Sequence, residues 1–154
     1  MSIETIDPNF RMESIDGHEL AFLDASCAPF SLTGFPFYAE EGELCRLPTA
    51  EIPAMNTGVQ GLAWHTAGGM VRFRSDSGCI AVQVELRAPG NMNHMPRSGS
   101  GGFDLYEGRG DECVFRSNLR HEHGATEVLG IFRRELPRVM RDWTVYLPLY
   151  NGVT

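Results

Sequence analysis

Hydrophobic and polar residues alternate with a period of two in many short stretches of this chain. In the clearest stretch, Phe103 and Leu105 lie on one face of a strand while Asp104 and Tyr106 lie on the other. The same period predicts further strands at 11–15, 19–23, 70–75, 80–86, 112–116, 126–132 and 143–149. Short strands separated by Gly and Pro turns predict an all-β fold, a β-sandwich of antiparallel strands.

Turn-forming residues between these strands predict two hairpins. Asp16-Gly17 separates strands 11–15 and 19–23, and Asp-Gly favours a tight hairpin turn. Ser75-Asp76-Ser77-Gly78 separates strands 70–75 and 80–86, so we expect these two strands to pair as well. Their polar faces would then bring Arg72 and Arg74 near Gln83 and Glu85, as a structural charge pairing.

The last predicted strand, 143–149, has side chains that need cover on both faces. Trp143, Val145, Leu147 and Leu149 are apolar on one face, and Tyr146 and Tyr150 belong to the other. A strand that is apolar on both sides is expected to be covered on both sides.

The most unusual segment is 91–106, where a Met/His/Pro stretch and a Gly/Ser stretch precede the strand at 103. Ser98–Gly102 has too little side chain to form a core, so a loop is expected there. It lacks the Lys-Ser/Thr of a phosphate-binding loop and leads into a strand rather than a helix. Phosphate binding is therefore not predicted.

Gly102-Phe103-Asp104-Leu105-Tyr106 resembles the Gly-x-Asp-Leu-Tyr signature of the domain that precedes the catalytic domain in bacterial SGNH (GDSL-type) hydrolases. Three more pieces agree with that family in order: Thr66–Gly68, Arg72–Ser77 and Tyr146–Val153. The resemblance implies a single jelly-roll-like β-sandwich domain over residues 1–154. It also implies that the esterase chemistry lies in a C-terminal catalytic domain missing from this chain.

The resemblance further implies that this domain packs on the catalytic domain and shapes its substrate cleft, with acylated carbohydrate as one candidate substrate. An exposed apolar surface is then expected near 146–150 or 92–106. The candidate interface or cleft residues are Asn93, His94, Met95, Arg97, Ser100, Asp104, Tyr106, Tyr146 and Tyr150.

Catalysis by this chain alone is not predicted. An SGNH hydrolase needs a serine in Gly-Asp-Ser and a late Asp-x-x-His, and neither occurs in the sequence. A free-standing hydrolase that uses Ser100 with His94 as its base is the least favoured alternative. The runner-up is a stand-alone carbohydrate-binding module, whose stacking rings would be Trp64, Trp143, Tyr106, Tyr146 and Tyr150.

Composition excludes several partners. The net charge is −7 and all thirteen basic residues are scattered arginines, so a nucleic-acid surface is not predicted. The N-terminal stretch 1–10 has no apolar core of a signal peptide, and no stretch is long and apolar enough to span a membrane. A cytoplasmic and an exported location both remain open.

No metal or cofactor is predicted. Cys27, Cys45, Cys79 and Cys113 are far apart in sequence, so we expect reduced, partly buried thiols rather than zinc ligands. His121-x-His123 has a spacing that metal sites use, but its polar surroundings favour exposed histidines on a loop.

Overall fold

The computed structural model describes residues 10–90 and 92–154. Residues 1–9, most of the stretch in which no signal peptide is predicted, and Asn91 lie outside the described residues. The strands are β1 (Phe10–Ile15), β2 (His18–Leu23), β3 (Ser31–Thr33), β4 (Met70–Ser75), β5 (Ile80–Glu85), β6 (Phe103–Glu107), β7 (Val114–Leu119), β8 (Glu127–Arg133) and β9 (Arg141–Tyr146). The helices are short: α1 (Tyr38–Glu41), α2 (Thr57–Leu62), α3 (Arg97–Ser100), and 3-10 turns at Ile52–Ala54 and Gly110–Glu112.

The strands pair antiparallel in three groups and confirm the all-β prediction. The largest sheet has the order β3-β4-β9-β6-β7, β5 pairs with β8, and β1 pairs with β2. One hydrophobic core joins the inner faces of the first two groups, which makes the fold a sandwich. Its buried members include Phe103, Leu105, Trp143 and Val145 from the large sheet, and Ile80, Val128 and Phe132 from the small one. The jelly-roll connectivity stays a prediction.

The first predicted hairpin is confirmed. β1 and β2 pair from Phe10↔Leu23 to Ile15↔His18, and Asp16 and Gly17 both have positive φ, at 50° and 80°. Positive φ at both central residues gives a turn whose twist matches that of the flanking strands.

The second predicted hairpin is wrong. β4 pairs with β3 and β9, while β5 pairs with β8 in the other sheet. The turn formers at 75–78 therefore carry the chain from one sheet to the other. Arg74 forms an ion pair with Asp142 of β9, at 3.3 Å, instead of facing Gln83 or Glu85.

The strand predicted at 143–149 is found at 141–146 and lies in the middle of the large sheet. β9 has β4 on one side and β6 on the other. Its inner residues Trp143 and Val145 are buried, and Thr144 on the outer face is buried too, whereas Tyr146 is exposed. The apolar pattern at 147–149 belongs to the segment after the strand, where Leu147 is buried and Leu149 is exposed.

The β1–β2 hairpin contacts β5 without extending its sheet. A cavity of about 1,400 Å³ lies between the hairpin and the two sheets, with Phe22, Leu32, Phe73 and Val84 among its lining residues. A second small core contains Cys45, Ile52 and Ala63, and all four cysteines are free thiols. Within the described ranges, no helix is long and apolar enough to cross a membrane.

Candidate functional site

Three of the four segments that carry the family resemblance meet at one end of the large sheet, which we call the loop end (residues 62–69, 97–102 and 147–152). Thr66 N donates to Asn151 O at 2.9 Å, and Tyr150 N donates to Ser100 O at 3.0 Å. Leu147 N donates to Gly69 O at 3.0 Å. Segments far apart in sequence are therefore joined through their backbones. The fourth segment, 72–77, runs away from this end.

Thr66 fixes the chain after β9. Its side chain is fully buried, and Oγ1 lies 3.1 Å from both Pro148 O and Asn151 O, either of which can accept its proton. Asn151 continues the network, because its Nδ2 donates to Ala88 O at 2.8 Å. Buried polar groups that are satisfied in this way hold a segment in one conformation. The loop end is thus a rigid surface.

The signature residues have separate structural roles. A Cβ atom at Gly102 would lie 2.3 Å from Ser98 O, so only glycine fits there. Leu105 is fully buried, as the alternation predicts. Asp104 lies on the outer face, where Asn118 Nδ2 donates to its Oδ1 at 2.7 Å. The carboxylate is thereby oriented along the sheet surface.

Tyr106 begins an aromatic cluster (Tyr106, Phe115 and Tyr146) on the outer face of the large sheet. Its ring centroid lies 5.3 Å from that of Tyr146 and 5.6 Å from that of Phe115, with interplanar angles of 69° and 72°. Phe115 and Tyr146 are both exposed. Sequence reasoning missed Phe115, because the register between β6 and β7 shifts at Leu105/Tyr106 and breaks the simple alternation.

Of the other three predicted stacking rings, Tyr150 is exposed, whereas Trp143 and Trp64 are not free. Trp143 is 1% exposed inside the core. The face of the Trp64 ring is covered by the Arg87 guanidinium, whose Cζ lies 3.8 Å from the ring centroid. The rings of the aromatic cluster meet edge to face, so they do not form one flat surface for a sugar ring.

The segment 92–100 combines an exposed tip with an anchored base. Asn93 and His94 are exposed and Met95 is half-buried. Arg97 anchors the base, because its Nη1 donates to His121 O at 3.1 Å and to Glu122 Oε2 at 2.9 Å. The Arg97 hydrogen bond and charge hold the pKa of Glu122 below its ordinary range.

The loop predicted at 98–102 instead begins inside a helical turn, Arg97–Ser100. Ser100 is 3% exposed, and its Oγ has no hydrogen-bond partner within the described part of the chain. His94 lies exposed on the tip and makes no hydrogen bond to Ser100. The pair required by the hydrolase alternative is therefore not assembled.

The prediction of an exposed His121 is wrong. This residue is 1% exposed, and its Nδ1 donates to Glu122 O at 2.7 Å. The imidazole fits between Gly90 and Gly101, where added Cβ atoms would lie 2.0 Å and 2.5 Å from its ring atoms. No local sequence signal could have revealed this burial, because both glycines are distant from His121 in sequence. His123 is exposed, and no group of three metal-ligating side chains occurs among residues 10–90 and 92–154.

The loop end also contains a small pocket of about 280 Å³, which we call the Arg46 pocket. Its lining residues are Arg46, Leu62, His65, Ala67, Leu149 and Tyr150. The imidazole of His65 meets the Tyr150 ring edge to face at 6.4 Å. Burial lowers the pKa of His65, and the nearby Arg46 charge lowers it further. Sequence reasoning identified only Tyr150 of this group.

The comparisons with known proteins agree with this architecture. The family described as GxDLY, the N-terminus of SGNH-hydrolase-type esterases, matches residues 20–154. No curated protein sequence matches the chain. A solved structure from Bacteroides ovatus ATCC 8483, titled a "putative GDSL-like lipase", superposes with a TM-score of 0.66 at 23% identity. It matches 80% of this chain, and the chain spans 36% of that protein's length, so this likeness shows the fold. With the family match extending over most of its length, the chain belongs to the GxDLY family of N-terminal domains of SGNH-type esterases.

Proposed function

We propose that this chain is a non-catalytic docking domain, which packs through its loop end on the catalytic domain of an SGNH-type esterase. The observation that carries the proposal is the exposure of large apolar side chains on a rigid surface built from family segments. Leu62 is 49% exposed, Leu149 is 53% exposed and Tyr150 is 44% exposed. Water-exposed apolar side chains grouped in this way are typical of binding surfaces.

The rigidity of the loop end favours docking. Thr66 and Asn151 hold the segment 147–152 through buried hydrogen bonds, so little backbone conformational entropy is lost when a partner binds. Aromatic side chains add contact area to such a surface, and Tyr146 and Tyr150 supply them on either side of Leu149. The neighbouring apolar residues then exclude water from the interface.

The exposed tip at 93–95 is proposed to form one wall of the partner's substrate cleft. Arg97, His121 and Glu122 fix its base, whereas Asn93 and His94 face solvent. A protruding polar tip on a fixed base suits contact with substrate better than contact with a core. The ester chemistry itself belongs to the catalytic domain, with acylated carbohydrate as a candidate substrate.

The docking proposal is tested on the natural reading frame that contains this chain together with its catalytic domain. Docked domains unfold in one coupled calorimetric transition, whereas independent domains unfold in two. Replacing Leu149 and Tyr150 together by Gln is expected to split the single transition. Val139 and Met140 are an adjacent pair of similar exposure, at 57% and 53%, on the segment leading into β9 at the opposite end of the sheet. Gln at both of these positions is the matched control, and it should leave the transition single.

Equal behaviour of the two double variants would overturn docking through the loop end. The cleft proposal has a separate readout. Substituting Asn93 and His94 by Ala should change KM for esters that differ in their alcohol group while kcat for a small acetate ester is retained. If the KM values of the variant equal those of the unaltered protein across such a series, the tip does not form a wall of the cleft.

A further inference from the structure

We propose that the Arg46 pocket receives one acidic side chain of the catalytic domain, whose carboxylate is bound by Arg46 and His65. This inference rests on the proposed docking function, because the carboxylate comes from the docked domain. It specifies which group of the partner reaches this surface and where it binds.

Arg46 is held in place with one buried donor unpaired. Its backbone N–H donates to Ala63 O at 3.1 Å, and its Nη2 donates to Leu62 O at the end of α2. Its Nε is buried without a hydrogen-bond partner among the described residues. An unpaired buried N–H is unfavourable, so a site that leaves one open favours an acceptor from outside.

His65 supplies a second unused group in the same pocket. Its Nδ1 is also buried without a partner in the described part of the chain. Burial favours the neutral imidazole, which carries one N–H that a carboxylate oxygen can accept. A carboxylate has two oxygens and can accept from Arg46 and His65 together, in the manner of paired guanidinium recognition.

No carboxylate of the described residues occupies this position. None of the seven ion pairs in residues 10–90 and 92–154 involves Arg46. Two acidic residues near it in sequence are already used, since Glu43 pairs with Arg87 at 3.1 Å and Glu41 accepts from Thr49 N. Arg46 is thus a cation without a carboxylate partner among the described residues, and an acidic side chain of the docked domain can complement it.

The rim of the pocket favours a partner side chain over a dissolved anion. Leu62, Leu149 and Tyr150 line the pocket and are the residues proposed to dock. Once they are covered, water is excluded around the guanidinium and a charge-assisted hydrogen bond there becomes stronger. A central arginine surrounded by apolar contacts is the arrangement that dominates many protein interfaces.

The test uses the same full-length protein and its calorimetric transition. Arg46→Met keeps the apolar stem of the side chain and removes the guanidinium, and it should convert the single transition into two. Arg72→Met is the control, because Arg72 is exposed on the outer face and forms none of the described ion pairs. Arg46→Glu should also split the transition. Replacing the partner acid on the catalytic domain by Lys should then restore a single transition, because the charges of the pair are reversed.

A second readout does not depend on folding stability. NMR titration should give a higher pKa for His65 in the unaltered full-length protein than in the protein whose partner acid on the catalytic domain is replaced by Gln, because the bound carboxylate favours the imidazolium. If Arg46→Met leaves the transition single while the Leu149/Tyr150 variant splits it, the inference is wrong and docking stands. If neither variant splits the transition, the proposed function itself fails. Identical His65 titrations in the two proteins would also show that no carboxylate binds in the Arg46 pocket.

Discussion

The imidazole of His121 lies so close to Gly101 that a Cβ atom at position 101 would be 2.5 Å from His121 Cδ2. The opposite side of the ring faces Gly90 in the same way. One buried side chain therefore holds together the two ends of the segment that bears Asn93, His94 and Met95. The position of the exposed tip depends on a residue that no ligand or partner needs to touch.

Gly101→Ala is expected to destabilise the domain by about 1–3 kcal/mol, because the new methyl group must displace the imidazole from a packed site. Gly101 has φ −135°, which alanine can adopt, so the effect comes from the contact and not from backbone strain. Urea unfolding followed by circular dichroism measures the change. Gly61→Ala in α2 is the control: a Cβ there has open space, and its free energy of unfolding should stay the same or rise.

Thr66→Val should cost about 1–3 kcal/mol of unfolding free energy, because valine keeps the shape but leaves buried carbonyls at Pro148 and Asn151 with fewer donors. Thr33→Val provides the comparison. Its Oγ1 lies 3.5 Å from Met70 O at a half-buried position, so the loss should be much smaller. Chemical denaturation of both variants gives the difference in unfolding free energy. Equal losses would show that the Thr66 hydroxyl does not hold the segment 147–152 in place.

Arg97→Gln should return the pKa of Glu122 toward its ordinary range, since the hydrogen bond and charge of Arg97 are the main causes of its depression. A depressed carboxyl pKa stabilises the folded state above the unfolded value, and the contribution is lost as pH falls through the folded value. The ion pair between Arg97 and Glu122, which anchors the segment 92–100, should therefore weaken when the pH falls below the ordinary pKa range of glutamate. Carbonyl-carbon NMR of Glu122 measures the titration, and an unchanged curve in the variant would refute the pairing.

His65 should titrate below the ordinary histidine range because burial disfavours its charged form. A lowered folded pKa gives stability that is present above the unfolded value near pH 6.5 and is lost as pH falls through the folded value. Arg46→Met should raise this pKa only in part, since burial is the larger cause. Proton NMR of the imidazole checks both points, and a full return to the ordinary value would show that charge, and not burial, sets it.

The sequence predicted individual strands better than their partners. Alternation placed Phe103 and Leu105 inside and Asp104 and Tyr106 outside because it follows directly from strand geometry. It could not say that β4 and β5 belong to different sheets. A short run of turn-forming residues fits a crossing between sheets as well as it fits a hairpin.

The candidate site was predicted unevenly for a similar reason. Tyr146 and Tyr150 were found because they follow a strong apolar pattern, whereas Arg46 and His65 lie in a segment with no period. His121 was assigned to the surface from its polar neighbours. Its burial depends on glycines 31 residues before it and 20 residues before it, and such distant contacts leave no local pattern.

The central place of β9 in the large sheet affects how the chain can be made. β4 and β6 both pair with a strand whose residues are the last of the sheet to leave the ribosome. Until residues 141–146 emerge, each of these strands lacks a neighbour and exposes edge hydrogen-bonding groups. Pairing between strands so far apart in sequence is slow compared with local structure formation. Protection of the growing chain by chaperones therefore matters most in the interval between synthesis of β6 and release of β9.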